Sequence, residues 1–263
     1  MTGTAPSLLL VAHGTRDPVG AVVTEQVADL VGASLRVRVA ACFVDVRRPT
    51  PADALAELPG PCVAVPMFLA AGYHVRADVP TQLRATGRAD VTLAHTFGPD
   101  PALVQAAAQR LAEAGARAGD AVVLAVAGSS DPHARADGAT AARRLARLLG
   151  RHVTLATIAT GGPRVTDTVA ALRADGARRV AVASWLLAPG LFQRQLDDCG
   201  ADVVGAPLST HPAVPALVAA RYRTALGGAA ARTARPGSDR ARGAGRAAPA
   251  RLTSPGGGGD PPP

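Results

Sequence analysis

The 263-residue chain has no lysine, no apolar run long enough to cross a membrane and only three cysteines. No window reaches the roughly 18 uninterrupted apolar residues that a membrane-spanning helix needs, so we expect no membrane partner. Cys42, Cys62 and Cys199 stand alone without a C-x-x-C pair. Their odd number and their spacing argue against a disulfide framework, a zinc ribbon or an iron–sulfur cluster. We therefore interpret all three as buried thiols.

The N-terminal segment lacks the features of a secretory leader. No basic residue precedes its apolar run, and the run ends at His13, so we expect no signal peptide and a cytoplasmic protein. Three common motifs are missing as well: the G-x-G-x-x-G fingerprint, the G-K-[ST] phosphate loop and the G-x-S-x-G nucleophile elbow. These absences disfavour a dinucleotide-binding enzyme, a P-loop protein and a hydrolase with that elbow.

Positive charge is divided unevenly along the chain. Of the net charge of +8, half lies after Leu226, where six arginines face two aspartates. This segment is rich in Gly, Ala, Arg and Pro and buries too little apolar surface to offset its chain entropy, so we predict a disordered tail over 227–263. Its arginines are not interleaved with aromatic residues and form no basic block, so we expect no nucleic-acid partner. The mildly basic body suits an anionic ligand.

Short apolar runs, closed by glycine or polar residues, alternate with segments of helical periodicity. This alternation predicts an α/β fold with parallel sheets and helices on both faces. In the first part we place strands at 8–13, 37–46, 63–69 and 91–95, helices at 19–35, 49–58 and 102–114, and a loop from His74 that leads into a helix starting at Val79 or Pro80. Asp100 is the predicted N-cap of the helix at 102–114. In the second part we place strands at 121–127, 153–159 and 180–187 and helices at 139–149, 165–175 and 213–225.

The pattern repeats after about 114 residues. Ala121–Ala127 followed by GSSDP mirrors Leu8–Ala12 followed by HGTRDP, and Val180–Leu187 mirrors Val63–Leu69. A repeat of this length indicates an internal duplication rather than a short-period solenoid. We therefore predict two similar α/β halves, 1–115 and 116–226, ahead of the tail.

Two histidines follow predicted strands of the first half, His13 after the first strand and His74 after the third. Because ligands bind beyond the carboxyl ends of parallel strands, we expect the two imidazoles to converge on one point, as a metal or proton-transfer site. The aligned positions of the second half are Ala127 and either Leu191 or Phe192. Imidazoles at these positions occur in one half only, which favours a functional role for the pair over a structural one.

Neutral imidazole binds borderline divalent metals such as Fe²⁺, Co²⁺, Ni²⁺ and Zn²⁺. Two histidines suit a metal that is handed on, whereas a structural zinc site uses four protein ligands. Asp45, at the end of the second predicted strand, is the nearest candidate carboxylate, as a ligand, a support for a ligand or a proton acceptor, with a solvated loop residue as the alternative. Arg16 and Arg76 lie within three residues of the histidines, where a guanidinium either holds a carboxylate or carries surface charge.

The segments AHGTRDP and FLAAGYHVRADVP resemble those of the sirohydrochlorin chelatases, the family that includes sirohydrochlorin cobaltochelatase and ferrochelatase. AVAGSSDP and SWLLAPGLF in the second half add to this resemblance, which extends from about Leu8 to Leu226. In the long members of the family two chelatase-like halves are fused and one of them carries the site. The resemblance therefore implies a class II chelatase fold with the active half first.

The same resemblance implies insertion of Fe²⁺ or Co²⁺ into sirohydrochlorin, giving sirohaem or an early cobalamin precursor. His13 and His74 match the family's metal-binding histidines, and they would hold the metal and take part in proton transfer. Arg16, Arg76 and Asp45 are the expected substrate contacts. The metal is a substrate, we expect no organic cofactor, and a fused duplication predicts a monomer. The alternatives are a metal- or tetrapyrrole-binding protein without turnover and a chelatase for nickel or another tetrapyrrole.

Overall fold

The structure, a computed structural model, describes residues 5–233 and contains two four-stranded parallel sheets with helices packed on them. The first half comprises β1 (Ser7–Ala12), α1 (Pro18–Leu35), β2 (Val39–Phe43), α2 (Pro51–Ala56), β3 (Cys62–Pro66), a π-helical segment called here the π turn (His74–Asp78), α3 (Val79–Ala85), β4 (Val91–Leu93) and α4 (Pro101–Glu113). The second half comprises β5 (Ala121–Gly128), α5 (Pro132–Leu149), β6 (Val153–Thr160), α6 (Val165–Ala174), β7 (Val180–Trp185), α7 (Leu191–Asp197), β8 (Val203–Val204) and α8 (Ala213–Thr233).

The two sheets have the same topology. Their strand orders are β2-β1-β3-β4 and β6-β5-β7-β8. In the first sheet Leu8 lies opposite residues of both β2 and β3, and in the second sheet Val122 takes the same place between β6 and β7. The predicted duplicated α/β fold is therefore confirmed. Carried forward along the chain, this register makes Ala127 the counterpart of His13 and Phe192 the counterpart of His74.

The helix after each central strand begins with the same local chemistry. Asp17 and Asp131 are the N-caps of α1 and α5, and each carboxylate accepts a hydrogen bond from a backbone N–H in the first helical turn. A proline occupies the first helical position in both cases, where its missing N–H has no cost. The backbone N–H groups of the two aspartates donate to the hydroxyls of Thr15 and Ser129. Both halves therefore hold the loop after the central strand in one shape.

The last helix of each half packs on the other half. Helix α8 contacts α1, β3 and β4, while α4 contacts β7 and α5. Arg221 on α8 donates to the backbone carbonyls of Thr96 and Phe97 and pairs with Asp100. One apolar cluster includes buried residues from the strands and helices of both halves. The two halves are thus repeats of one interlocked fold, because each closes part of its core with a helix of the other.

The segment that carries His74 differs from the prediction. The sequence predicts a loop, but His74–Asp78 form the π turn, whose Val79 N–H donates to the His74 carbonyl. Pro80 has no N–H to offer to the carbonyl of Arg76, so the regular helical bonding pattern is interrupted where the π turn meets α3. The turn is consequently wider than an α-helix at this point.

Several other boundaries differ as well. Strands β2 and β3 end at Phe43 and Pro66, before their predicted ends, and α5 starts at Pro132 rather than at residue 139 because Asp131 caps it. The short strand β8 and helix α7 were not predicted. Helix α8 continues through residues 227–233, which were assigned to a disordered tail. The rest of that predicted tail, 234–263, lies outside the described residues.

Cys42, Cys62 and Cys199 are buried and unpaired, as predicted. Burial raises the pKa of Cys62 to about 11 and also raises the pKa values of the other two thiols. None of the helices within residues 5–233 has the length and hydropathy of a membrane span.

Candidate metal site and cavity

The structure brings His13 and His74 together beyond the carboxyl ends of the first sheet. His13 follows β1 directly, and His74 opens the π turn after β3. Their Nε2 atoms are 3.1 Å apart, and the two rings lie at 79° to each other. The two imidazoles that the sequence placed at strand ends therefore form one pair.

The outer ring nitrogens of the pair both face hydrogen-bond acceptors. His74 Nδ1 lies 2.5 Å from Asp78 Oδ2, and His13 Nδ1 lies 3.2 Å from the carbonyl oxygen of Gly14. A hydrogen on Nδ1 that is donated outward leaves the Nε2 lone pair directed inward, the form in which imidazole binds a metal. Two facing lone pairs repel each other unless a proton or a metal cation lies between them. The pair is therefore arranged to hold one cation.

Asp78, rather than Asp45, is the carboxylate that supports a histidine. It lies four residues after His74, and helical geometry at this spacing brings the two side chains together. The Asp45 carboxylate accepts a hydrogen bond from the N–H of Val46, and within residues 5–233 it bonds to neither histidine. The sequence signal for Asp78 is an H-x-x-x-D spacing. Residues at this spacing lie side by side only on a helical turn. Because a loop was predicted for this segment, the spacing did not indicate that Asp78 contacts His74.

Across residues 5–233, no group of three or more histidine, cysteine, aspartate or glutamate side chains is arranged to hold a metal ion. A cation on the imidazole pair would thus keep open coordination positions for ligands that the protein does not supply. Such open positions are typical of sites that exchange ligands rather than of closed structural sites.

The imidazole pair faces a cavity of about 1720 Å³ that both halves line. The first half contributes the loop after β1 and the segment before the π turn. The second half contributes the loop after β5, the first turns of α5 and the segment that leads into α7. Ordinary small-molecule pockets measure about 300–1,000 Å³, so this cavity suits a large ligand.

Charged side chains make the cavity wall positive. Arg16, Arg135 and Arg194 line it, and the carboxylate in the lining is Asp17. Arg194 Nη1 lies 2.5 Å from Asp17 Oδ2, and this bond, with a backbone N–H, holds the pKa of Asp17 below its ordinary value. Within residues 5–233 the guanidinium groups of Arg16 and Arg135 have no hydrogen-bond partner, so both are available to an anionic ligand. Arg135 was not singled out from the sequence, because only the fold brings α5 to the cavity.

Arg76, which the sequence places at the substrate, is not among the described residues that line the cavity. Its Nη2 atom lies 2.9 Å from Asp131 Oδ2 in the second half. This bond is the main reason that the pKa of Asp131 lies below its ordinary value. Arg76 is therefore engaged by a carboxylate of the protein itself and lies outside the described cavity lining.

Exposed apolar side chains complete the cavity wall. Val46, Tyr73, Leu191 and Phe192 line it and are among the large hydrophobic residues that remain exposed in the described chain. Phe192 stands at the counterpart position of His74. Exposed apolar surface inside a cavity favours a ligand that has a broad apolar face.

Comparison with known families gives a match over both halves. The CbiX family model matches residues 7–114 and again residues 121–225. A protein of Methanothermobacter thermautotrophicus named sirohydrochlorin cobaltochelatase is 35% identical over 77 residues, 28% of this chain and 54% of the relative. A protein of the same name from Methanosarcina acetivorans is 36% identical over 78 residues, 28% of this chain and 60% of the relative. The chain therefore spans little more than half the length of the curated relatives that it matches.

Solved structures of similar fold cover nearly the whole described chain. SirB from Bacillus subtilis with Fe³⁺ has a TM-score of 0.74 at 21% identity, and the match covers 87% of this chain and 98% of SirB. SirB from Bacillus subtilis subspecies spizizenii in complex with cobalt has a TM-score of 0.67 at 20% identity, over 84% and 95% of the two chains. The structure of CbiX described as the terminal enzyme of sirohaem biosynthesis in denitrifying bacteria has a TM-score of 0.62 at 23% identity, over 83% and 98%. At these identities the likeness shows a shared fold.

Proposed function

This chain belongs to the CbiX family, and we propose that it is a chelatase that inserts a divalent metal, Fe²⁺ or Co²⁺, into sirohydrochlorin. The observation that carries the proposal is the imidazole pair, His13 and His74, whose Nε2 atoms are 3.1 Å apart and face a cavity of about 1720 Å³. The names of the curated relatives and the Fe³⁺ and cobalt in two structures of similar fold support it.

The imidazole pair supplies the metal. Both Nε2 lone pairs are directed at one point because both Nδ1 atoms face acceptors, so the pair holds a cation by two bonds. Two protein ligands bind a divalent metal less firmly than the four of a structural site, and the metal can leave for the pyrrole nitrogens of the substrate. The metal in this scheme is a substrate, and no organic cofactor enters.

Metal insertion also releases two pyrrole protons. Once the metal has moved into the ring, the imidazole pair is free to take up one of these protons between its two Nε2 atoms, and the other proton passes to solvent in the cavity. Asp78 stabilises the charge that His74 gains, because its carboxylate lies against Nδ1. The same two side chains thus deliver the metal and take part in removing the protons that it displaces.

The cavity wall matches the two characters of the substrate class. A tetrapyrrole has a broad apolar ring face, which the exposed apolar side chains would contact. Its peripheral carboxylates would be bound by Arg16 and Arg135, which have no hydrogen-bond partner within residues 5–233. We assign no substrate contact to Arg76 or Asp45, because both are bonded elsewhere and neither is in the described cavity lining.

Location and assembly stay predictions. A cytoplasmic protein is expected for a chelatase that acts in tetrapyrrole biosynthesis. A monomer is expected because one chain supplies both halves of the cavity.

The test is anaerobic metal insertion into sirohydrochlorin, followed by absorbance with Fe²⁺ and Co²⁺ in parallel. We expect turnover above the spontaneous rate in the wild type and none in His13→Ala or His74→Ala. His95→Ala is a matched control, because His95 is an exposed histidine outside the described cavity lining. A wild type that binds Co²⁺ but accelerates insertion of neither metal would favour a binding protein without turnover.

A further inference from the structure

The segment that carries His74 is anchored on the opposite half. Strand β3 ends at Pro66, eight positions before His74, so the sheet does not fix this histidine directly. The backbone N–H of Ala71 donates to Asp137 Oδ2 on α5 at 2.8 Å. A side-chain carbon placed on Gly72 would lie 3.3 Å from the Cβ of Ala134, also on α5. The chain thus reaches the π turn along the N-terminal turns of α5.

A charged contact completes this attachment. Arg76 lies on the π turn between His74 and Asp78, and it bonds to Asp131 at 2.9 Å. The Asp131 side chain is only 10% exposed, and its carboxylate is already held because it caps α5. Arg76 therefore pairs with a carboxylate that is already held in place, and this ion pair attaches the π turn to the start of α5.

His13 needs no such support. It follows β1 directly, and its carbonyl accepts a hydrogen bond from the N–H of Asp45 in the same half. Its backbone is thus held by the sheet that carries it. The distance between the two Nε2 atoms accordingly depends on how the π turn is placed. Val79 and Leu83 of α3 fix the C-terminal end of the turn in the core of the first half, whereas its N-terminal end is held by the contacts to α5.

We propose that the N-terminal turns of α5 are a platform that positions His74 for metal binding, with Arg76 and Asp131 as its charged contact. Arg76 is then a positioning residue, and the half that lacks the imidazole pair contributes to the metal site of the other half. This inference rests on the proposed metal role of His13 and His74.

The duplication supplies a built-in control. Arg194 is the counterpart of Arg76, and it pairs with Asp17, the counterpart of Asp131. Both arginines are about half exposed or more, and both partners cap a helix. The segment held by the Arg194 pair carries Phe192 instead of a histidine. Loss of this second pair would disturb the cavity wall but leave His74 in place.

The experiment measures Co²⁺ affinity of the full chain by titration, without tetrapyrrole. Arg76→Gln and Asp131→Asn each remove the charged pair, and asparagine keeps the acceptor that caps α5. We expect each to weaken Co²⁺ binding about threefold to tenfold, the double variant to be no weaker than the singles, and Arg76→Lys to recover part of the loss. Arg194→Gln should change Co²⁺ affinity less than about twofold, because an exposed ion pair contributes little and the segment on which Arg194 lies carries no imidazole.

Turnover gives a second readout. Arg76→Gln should lower kcat for metal insertion with little change in the KM for sirohydrochlorin, whereas Arg194→Gln should raise that KM, because Arg194 lines the cavity. Unchanged Co²⁺ affinity in Arg76→Gln and Asp131→Asn, or strictly additive losses in the double variant, would overturn the platform while the chelatase proposal stands. If His13→Ala and His74→Ala themselves leave Co²⁺ binding intact, the metal site is wrong and both proposals fail.

Discussion

The two halves share a frame and differ in the side chains at its edge. Both have the same strand order, an aspartate that caps the helix after the central strand, and an ion pair from that aspartate to the opposite half. At the edge, Ala127 and Phe192 replace the two histidines, and Leu196 stands where the first half has Asp78. The comparison shows that this frame specifies where a site lies but not which chemistry it performs.

In this comparison, the largest expected effect comes from replacing Asp78 with leucine, the residue at the counterpart position 196. Asp78→Leu removes the acceptor of His74 Nδ1, so the Nε2 lone pair is no longer held toward the metal. Loss of such a support residue lowers metal affinity or activity about 10- to 100-fold. We expect a loss of this size in Co²⁺ titration and in metal insertion.

Asp45→Leu tests whether Asp45, rather than Asp78, supports the metal site. Asp45 bonds to the N–H of Val46, so its loss should weaken Co²⁺ binding by much less than the loss of Asp78. Equal effects of the two substitutions would restore the expectation that Asp45 supports the metal site.

The next effect concerns the glycine at the tip of each central strand. Gly14 and Gly128 have φ values of +100° and +95°, and a Cβ on either would lie 2.2 Å from a backbone oxygen, that of Asp45 or of Thr160. Alanine at either position should therefore lower the free energy of unfolding by about 1–3 kcal/mol, measured by urea denaturation. Gly14→Ala should also weaken Co²⁺ binding, because it displaces the carbonyl that faces His13. An unequal stability loss would show that the two frames are less alike than their geometry indicates.

The smallest effect is a dependence of stability on acid. The pKa values of Asp17 and Asp131 lie below the ordinary 3.8, mainly because Arg194 and Arg76 bond to the two carboxylates. A lowered pKa in the folded state contributes stability that is fully present above pH 3.8 and is lost as the pH falls through the folded-state value. Asp17→Asn and Asp131→Asn should each flatten the fall of the urea midpoint below about pH 4, and by similar amounts. A flattening in one variant only would break the symmetry of the pairs.

The sequence by itself determined the duplicated α/β fold and the strand ends at which the two histidines lie. Short apolar runs and helical periodicity predicted a parallel α/β fold, and the repeat of HGTRDP as GSSDP predicted the duplication. It also placed His13 and His74 after strands of one sheet, which was enough to expect them together. These features could be predicted because they depend on neighbours along the chain and on the rule that parallel strands end at one edge.

Only the tertiary structure showed which residues and helices of the two halves contact each other. The sequence left Leu191 and Phe192 equally possible as the counterpart of His74, and the strand register settled the choice. The sequence predicted that Arg76 contacts the substrate. In the structure Arg76 forms a hydrogen bond with Asp131, 55 positions further along the chain. The sequence also predicted two separate halves, whereas in the structure α4 and α8 each pack on the opposite half. Such pairings depend on how two sheets pack against each other, and no local pattern of residues encodes the distance between side chains that packing brings together.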